Sequence, residues 1–250
     1  MSDTTSPILS SLADGILRLS FNRPARRNAL NGEMYLQLTE AIGAAIDDPA
    51  VKVIFLQGSQ GVFTAGNDLG DFSPLPDELL AMRLFRVLAG CFKPVVAAVE
   101  GLAIGIGSTL LGHCDFAFAG ASTRFATPFV KLGVCAEGAS SLLLPASAGY
   151  KKAASILLLG DPFTAAEALA AGLLTEVVED GQAAAHGLAV AARLAAQPPE
   201  VIQTGKRLLK TPQLDAVREA FAREEAAFLR LLAAEPAQTA IAGFLVPKKS

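Results

Sequence analysis

Segments typical of strands alternate with segments of helical periodicity along the first half of the chain, and this alternation constrains the fold more than any other feature. The segments Gly15–Phe21, Val51–Leu56 and Val95–Val99 are short and mainly apolar, as strands are. Between the first two, apolar residues recur at helical spacing over Gly32–Asp47. Strands that alternate with helices pack in layers, so the sequence predicts an α/β fold.

The predicted pattern becomes mainly helical beyond Gly138. Helices are predicted over Asp77–Cys91 and from near Gly105, and a strand is predicted at Asp115–Ala119. Beyond Gly138 the predicted helices are Ala139–Ala148, Lys151–Leu159, Ala165–Ala171, 182–196, 199–210 and 213–234, with one strand at Thr175–Val178. The last quarter of the chain is therefore expected to be a helical region.

The pair Pro198-Pro199 is the clearest break in the pattern. No low-complexity linker separates two domains, so we predict a core over residues 1–197 and a C-terminal helical region over residues 198–250. This region carries an apolar stripe formed by Val217, Phe221, Phe228, Leu231 and Leu232. Such a stripe packs either on the protein's own core or on another subunit.

Charge and hydropathy exclude several classes of protein. The 24 acidic and 21 basic residues are interspersed and give a net charge of −3, which argues against nucleic acid as a partner. The longest stretch without a charged residue, Val53–Asn67, is shorter than the roughly 20 apolar residues of a membrane helix. Neither the first ten residues nor the final Lys248-Lys249-Ser250 resembles a targeting signal, so we predict a cytoplasmic protein without membrane partners.

The cysteines and histidines do not form a metal motif. The three cysteines are an odd number without CxxC spacing, which predicts neither a disulfide scaffold nor a zinc site. The two histidines, His113 and His186, are isolated in the sequence and are expected to be structural. No metal site is predicted.

Four segments combine glycine with polar or charged residues where a plain core has neither. They are Asn22–Leu30, Phe63–Leu69, Gly101–Gly107 and Leu132–Ser140. In this order and at these separations they resemble the enoyl-CoA hydratase/isomerase superfamily, also called the crotonase fold. The resemblance runs from about residue 15 to about residue 235 and includes Thr164–Val177. It implies a crotonase-like β-β-α superhelix, an acyl-CoA thioester substrate, and oligomerisation through the C-terminal helical region as a homotrimer or hexamer.

The resemblance implies that two backbone amides, those of Asn67 and Ile106, hold the thioester oxygen of the substrate. The family usually has glycine at the second position, but a backbone donor does not depend on the side chain unless it is proline. Donors aimed at a developing enolate oxygen stabilise it by roughly 3 kcal/mol each. Alternatively, the glycines of both loops only permit tight turns. Gly105 and Gly107 do not form a dinucleotide-binding motif, because Leu110 occupies the place of its third glycine.

Glu137 is the residue that the resemblance implies as the catalytic base. The two glutamates of the family's hydratases are replaced by Thr109 and Phe129, whereas Glu137 stands where Δ3,Δ2-enoyl-CoA isomerases of the peroxisomal type have their base. Isomerisation needs one carboxyl, because the proton removed from C2 can be returned to C4. The apolar neighbours of Glu137 favour a raised pKa. The alternative role is capping of the helix that starts near Gly138.

The resemblance also implies a binding site for the CoA moiety. Its predicted residues are Arg23, Arg26, Arg27, Asn28, Ala29, Ala65, Gly66, Asp68 and Leu69. The three arginines would contact phosphate or adenine, and Asn28 and Ala29 would contribute backbone atoms. Asp68 is expected to brace its loop, and Cys135 is not expected to be a nucleophile because no histidine neighbours it in the sequence. The alternative for the arginines is a solvated surface.

These residues together predict an isomerase that converts a 3-enoyl-CoA to the trans-2-enoyl form in fatty acid metabolism. No metal or redox cofactor is expected, since CoA is part of the substrate. One alternative is another acyl-CoA reaction on this scaffold, such as thioester hydrolysis or weak hydration. Another is a non-catalytic subunit that binds acyl-CoA.

Overall fold

The computed structural model describes residues 6–245, in which two β-sheets and nine α-helices are found. The strands are β1 (Ile8–Ala13), β2 (Ile16–Phe21), β3 (Val53–Gly58), β4 (Val95–Val99), β5 (Leu102–Ile104), β6 (Phe116–Gly120), β7 (Arg124–Ala126), β8 (Phe163–Thr164) and β9 (Glu176–Val178). The helices are α1 (Gly32–Asp47), α2 (Leu80–Gly90), α3 (Ile106–Thr109), α4 (Ser140–Ala148), α5 (Tyr150–Ala154), α6 (Ala165–Ala170), α7 (Ala183–Ala195), α8 (Pro199–Leu232) and α9 (Glu235–Leu245).

The main sheet has the strand order β1-β2-β3-β4-β6-β9. Only β1 is antiparallel to its neighbour in this sheet, and the other strands run parallel. The central strand β4 is buried along its whole length, as its apolar sequence requires. A second, three-stranded sheet has the order β5-β7-β8. The predicted α/β fold is confirmed.

The main sheet separates two apolar cores. The smaller core lies under α7, where Gly187 lets the helix approach the sheet so closely that a Cβ atom there would lie 2.9 Å from the Phe55 ring. The larger core fills the opposite side, and α1, α2, α8 and the second sheet contribute to it. Burial on both faces explains why the inner strands are apolar without alternation.

A tight turn at Gly101 carries the chain from the main sheet into the second sheet. Gly101 has φ +67°, and a Cβ atom there would lie 2.4 Å from the carbonyl oxygen of Gly61. Only glycine fits this approach of two backbones. The turn places β5, and the loop that follows it, directly beside the loop that follows β3.

Most predicted elements are present, but some were not predicted and two predicted helical segments have a different form. The sequence did not predict β1, the short strands of the second sheet, or α9. The predicted helices 199–210 and 213–234 form one continuous helix, α8, which contains Pro212. The helix continues through the proline because it is held on both sides, by the Lys206 ion pair with Asp115 and by the buried Phe221. The predicted helix 151–159 is α5 followed by a π-helical turn.

The C-terminal helical region packs on the rest of the chain. Helix α8 contacts α2 and α4, and four residues of the predicted stripe, Val217, Phe221, Phe228 and Leu232, are buried in the larger core. The stripe therefore packs on the protein's own core, and the prediction that it is the surface for oligomerisation is wrong for these four residues. Residues 1–5 and 246–250, which belong to the predicted core and helical region and include the Lys248-Lys249-Ser250 end, lie outside the described residues. Within residues 6–245, no helix has the length and hydropathy to cross a bilayer.

Candidate active site

The two glycine-bearing loops lie side by side. Thr64 pairs with Ala103, and the amides of Thr64 and Ile104 donate to the carbonyls of Leu102 and Thr64 at 2.9 and 3.1 Å. Gly66, at φ +95°, lies so close to the second loop that a Cβ atom would approach the carbonyl oxygen of Ile104 to 2.8 Å. The fold therefore brings together two loops that are some 40 residues apart in the sequence.

The amides of Asn67 and Ile106 both remain free in this arrangement. Among the hydrogen bonds of residues 6–245, neither backbone N–H donates to a protein acceptor, although the amides of Asp68, Gly105 and Ser108 do. Ile106 is the first residue of α3, so its amide has no partner within the helix. Its side chain is fully buried in the larger core. Two unpaired donors on adjacent loops can hold one developing oxyanion.

Glu137 lies on the loop before α4 and is 1% exposed. Its Oε1 has no hydrogen-bond partner. Burial, and then the negative charge of Glu224, raise the pKa of the Glu137 carboxyl to about 8. A carboxyl with this pKa can both accept and return a proton near neutral pH. The alternative capping role is not seen, because the carboxylate at the N-terminus of α4 is that of Glu224.

The raised pKa of Glu137 predicts a pH-dependent effect on stability. An unfolded carboxyl titrates near 4.5, so the folded protein keeps a proton that the unfolded chain has lost between pH 4.5 and about 8. Stability therefore falls as pH rises through this window. We expect Glu137→Gln to have nearly wild-type stability below the window and to be more stable than wild type above it, by up to about 5 kcal/mol.

This difference is measured by urea unfolding of both proteins at about pH 5 and about pH 9. The control is Glu225→Gln. Glu225 is partly exposed and pairs with Arg86, so this variant should show no such divergence from wild type. A constant difference between Glu137→Gln and wild type at the two pH values would show that Glu137 titrates normally.

The loop that carries Glu137 is anchored through its backbone. His113, on the turn after α3, contacts the carbonyl oxygen of Gly138 through Nε2 at 2.7 Å. Burial lowers the pKa of His113 to about 4, so the ring is neutral and its Nε2–H is the donor. Packed between Phe85 and Phe221, the ring has the structural role predicted for it.

Tyr35 is a site residue that the sequence did not reveal. It is 5% exposed on α1, and its hydroxyl donates to Oδ1 of Asn67. Burial, and then the charge of Glu137, raise the pKa of Tyr35 well above its usual value, so it stays a donor. Its helical position next to Met34 indicated only burial. The hydrogen bond holds the side chain of the residue whose amide is the first predicted donor.

Two cavities meet at Asn67. One, of about 60 Å³, is lined by Glu137, Tyr35 and Asn67, by apolar residues such as Leu79, and by the acidic residues Asp68, Asp71 and Glu78. The other, of about 280 Å³, is bounded by the two glycine-bearing loops and is mainly apolar, with side chains from Phe72, Phe129, Leu132, Phe228, Leu232, Ile241 and Phe244. Phe72 also borders both cavities. The first predicted amide donor therefore lies between the candidate base and a larger apolar cleft.

The predicted CoA-binding residues fall into two groups. Arg26 and Arg27 are exposed, and neither forms an ion pair among the described residues. Arg23 is instead engaged within the protein, donating to the carbonyl of Ala29 at 2.7 Å and to Asp68 at 3.0 Å. Two of the three arginines are thus available to an external anion.

Asn28 and its neighbours brace the loops. Asn28 is fully buried at φ +56°, and its amide group donates to the carbonyls of Ser59 and Val62. Its backbone N–H donates to Arg23 and its carbonyl accepts from Thr64. The backbone atoms of Ala29 and the amide of Ala65 are hydrogen-bonded within the protein as well. These atoms hold the loop in shape.

Asp68 has the bracing geometry that the sequence analysis expected. Besides its ion pair with Arg23, its side chain accepts from the amide of Gly70, at the start of a 3₁₀ turn that begins at Leu69. Gly66 and Leu69 line the larger cavity.

The two positions at which the resemblance implies hydratase glutamates hold buried residues without a titratable side chain. Thr109 is 3% exposed and contacts the carbonyl of Gly105, while Phe129 is 3% exposed at the larger cavity. Cys135 is half-buried, and burial raises the pKa of its thiol, which disfavours a nucleophilic thiolate.

Comparison with known proteins places this chain in a family. Residues 11–249 match the family model described as enoyl-CoA hydratase/isomerase. The chain is 34% identical over 221 residues to enoyl-CoA delta isomerase 2 of Homo sapiens, covering 84% of this chain and 56% of that protein. It is 32% identical over 246 residues to 2,3-dehydroadipyl-CoA hydratase of Escherichia coli K12, covering 96% of each. The chain belongs to the enoyl-CoA hydratase/isomerase family.

A solved structure supports the same assignment. The structure of Pseudomonas aeruginosa OdaA is 37% identical in sequence and matches with a TM-score of 0.94, covering 97% of this chain and all of that one. The crotonase fold and the C-terminal helical region that the resemblance implied are confirmed. The chain spans only about half the length of the human isomerase, and the relatives include both isomerases and hydratases. Family membership alone therefore does not select one reaction.

Proposed function

We propose that this protein is an enoyl-CoA isomerase that converts 3-enoyl-CoA to trans-2-enoyl-CoA. The observation that carries the proposal is a single buried carboxyl, Glu137, with an unpaired oxygen beside the free amide of Asn67. The other buried glutamate, Glu224, is occupied by two backbone amides. Thr109 and Phe129 stand in place of the hydratase acids, and Glu137 is the buried carboxyl of its cavity. The other carboxyls that line this cavity are engaged: Asp68 and Glu78 form ion pairs with Arg23 and Arg83, and Asp71 accepts from the amide of Gly32.

The proposed mechanism is a proton shuttle. The thioester oxygen accepts hydrogen bonds from the amides of Asn67 and Ile106, which stabilise negative charge on it as the C2 proton leaves. Glu137 takes that proton and returns it to C4 of the delocalised dienolate, so the double bond moves by one position. The raised pKa of Glu137 reduces the cost of this transfer, because the carboxyl and the activated C–H are closer in proton affinity. No cofactor is needed beyond the CoA that the substrate carries.

Two assays run in parallel test the reaction. Conjugated enoyl thioester should form from 3-hexenoyl-CoA, while crotonyl-CoA should not lose its double bond. The E. coli relative's name favours hydration as the second candidate function, and loss of conjugation in crotonyl-CoA would support it. Release of free CoA would indicate thioester hydrolysis, and tight binding without turnover would indicate a non-catalytic subunit.

Arg26 and Arg27 are proposed to bind the phosphates of CoA. Replacing both by alanine is expected to weaken CoA binding by roughly 1 to 3 kcal/mol, because charge-assisted hydrogen bonds are lost. Calorimetry at low salt measures the difference, which added salt should reduce. The control replaces Arg218 and Arg223 of α8, two exposed arginines paired within their own helix, and removes the same charge. Equal affinities for CoA in both double variants would show that Arg26 and Arg27 are solvated surface residues that do not bind CoA.

We propose that the chain assembles as a homotrimer or hexamer and acts in the cytoplasm. The predicted stripe is buried within the chain, so it is not the surface for assembly. On α8, the large apolar side chains that are exposed are instead those of Val201, Leu208 and Leu209, which are 65%, 71% and 82% exposed. Light scattering at micromolar concentration should give a multiple of the 25.8 kDa chain mass, and a mass of one chain would contradict the assembly.

A further inference from the structure

Glu224 is a buried carboxylate whose partners belong to the segment that carries Glu137. It is 5% exposed, and its two oxygens accept hydrogen bonds from the amides of Ala139 at 2.6 Å and Ser141 at 2.9 Å. These amides lie two and four residues after Glu137 in the sequence. One side chain of the C-terminal helical region thus holds the backbone that immediately follows the candidate base.

The pattern of α8 places this glutamate on an apolar face. Glu224 follows Phe221 by three residues and precedes Phe228 by four, so the three share the side of the helix that is buried in the larger core. Burying a carboxylate there is costly unless its oxygens are satisfied. The N-terminus of α4 satisfies the oxygens of Glu224, because its first amides have no partner within the helix and the positive end of the helix dipole lies there.

The segment between Glu137 and α4 has a backbone conformation that needs to be fixed by hydrogen bonds. Gly138 and Ala139 both have positive φ, +70° and +56°, and the second of these is unusual for a residue with a side chain. No side chain of the segment itself caps α4. The carbonyl of Glu137 is fixed by Ser140, whose hydroxyl donates to it at 2.6 Å. Glu224 and Ser140 together fix the backbone on which the Glu137 side chain stands.

The groups around Glu137 leave Glu224 as its charged neighbour among the described residues. Tyr35 of α1 and Cys135 on the same loop are neutral, because burial raises the pKa of each. His113, which holds the Gly138 carbonyl, is neutral because burial lowers its pKa. Asp68, Asp71 and Glu78 also line the cavity that holds Glu137, but the charge that raises the pKa of Glu137 is that of Glu224. Burial raises the pKa of Glu224 as well, and the hydrogen bonds from Ser141 and Ala139 and the charge of Arg223 oppose that rise.

We propose that Glu224 is a positioning residue that fixes the Glu137 loop and whose negative charge makes Glu137 a stronger base. The proposal extends the proposed isomerase function, in which Glu137 must both take and return a proton. It assigns to α8 a direct link to the reaction, in addition to its packing role. A purely structural Glu224 would hold the loop without altering how Glu137 titrates.

An infrared titration tests the charge effect without any substrate. The carbonyl stretch of the protonated Glu137 carboxyl is identified by its absence in Glu137→Gln, and its midpoint is followed with pH in wild type and Glu224→Gln. Glutamine keeps the shape and one acceptor oxygen but removes the charge, so we expect the midpoint to move to lower pH by at least about 0.5 unit. The control is Glu225→Gln, whose side chain pairs with Arg86, and its midpoint should match wild type.

A second variant separates charge from geometry. Glu224→Asp keeps the charge but is one methylene shorter, so it cannot reach both amides. We expect its infrared midpoint to stay near the wild-type value while isomerase kcat falls by about tenfold, because Glu137 is misplaced. In Glu224→Gln, the acidic limb of the kcat/KM profile should move in the same direction as the infrared midpoint.

The possible outcomes decide the two proposals separately. An unchanged midpoint in a folded Glu224→Gln protein, or the same shift in Glu225→Gln, would overturn the proposal for Glu224. If Glu224→Gln does not fold, a wild-type kcat in Glu224→Asp overturns it instead. A wild type without activity on 3-enoyl-CoA would reject the isomerase function, and the infrared midpoints would still decide whether Glu224 sets the proton affinity of Glu137.

Discussion

Glu137→Gln is expected to lower the isomerase kcat by at least about 10³-fold while the KM for 3-hexenoyl-CoA stays within about threefold. The amide has the size and polarity of the carboxyl, so the cavity around it should keep its shape. It cannot accept the C2 proton, so the loss falls on the chemical step. Stopped assays of conjugated thioester formation with both proteins measure the difference.

The control for this substitution lies on the same cavity. Glu78 also borders the cavity that holds Glu137 but is half exposed and pairs with Arg83. Glu78→Gln makes the same chemical change at the rim, and its kcat should stay within about twofold of wild type. If Glu137→Gln kept a tenth of wild-type turnover, a different group would have to move the proton.

Ile106→Pro is expected to lower kcat/KM by about 10² to 10³-fold, because it deletes one of the two donors to the thioester oxygen. The substitution suits this position, since proline is tolerated at the first residue of a helix and the amide that it removes donates to no protein acceptor. Affinity for free CoA, which has no thioester oxygen, should change little. Steady-state kinetics with 3-hexenoyl-CoA give the first quantity and calorimetry gives the second.

The matched variant for this donor is Ile106→Val. It keeps the backbone amide and removes one methylene from a fully buried side chain, which should cost about 0.5 to 1.5 kcal/mol of stability. Its kcat/KM should stay within about threefold of wild type when both are assayed well below their melting temperatures. Equal losses in the proline and valine variants would mean that packing at Ile106, and not its amide, matters to the reaction.

Local patterns in the sequence were sufficient for the fold class, and the family resemblance supplied the candidate site. The alternation of apolar strands with periodic helices predicted the α/β fold because both signals are read over a few neighbouring residues. The candidate residues Asn67, Ile106 and Glu137 were implied by the resemblance of the glycine-bearing segments to the enoyl-CoA hydratase/isomerase superfamily. The burial of Glu137 was also expected from its neighbours.

Tertiary structure decided the parts that depend on residues far apart in the chain. The sequence did not predict the strands of the second sheet, because segments of two or three residues carry little periodicity and are stabilised by pairing with distant strands. Arg23 looked equivalent to Arg26 and Arg27 in the sequence, but the fold places it against Asp68, 45 residues away. Only the two others remain exposed.

The partners of the candidate base show the same division most clearly. Tyr35 and Glu224 belong to amphipathic helices. The sequence around Tyr35 indicates a buried side chain, whereas a glutamate such as Glu224 is ordinarily expected to be solvated. Their contacts with Asn67, Ala139 and Ser141 join segments that are 32 to 85 residues apart. The sequence, through its resemblance to the family, singled out the carboxyl proposed as the base. Only the tertiary structure decided which charge lies behind it, because electrostatic interactions depend on distance in space and on burial, and neither follows from separation along the chain.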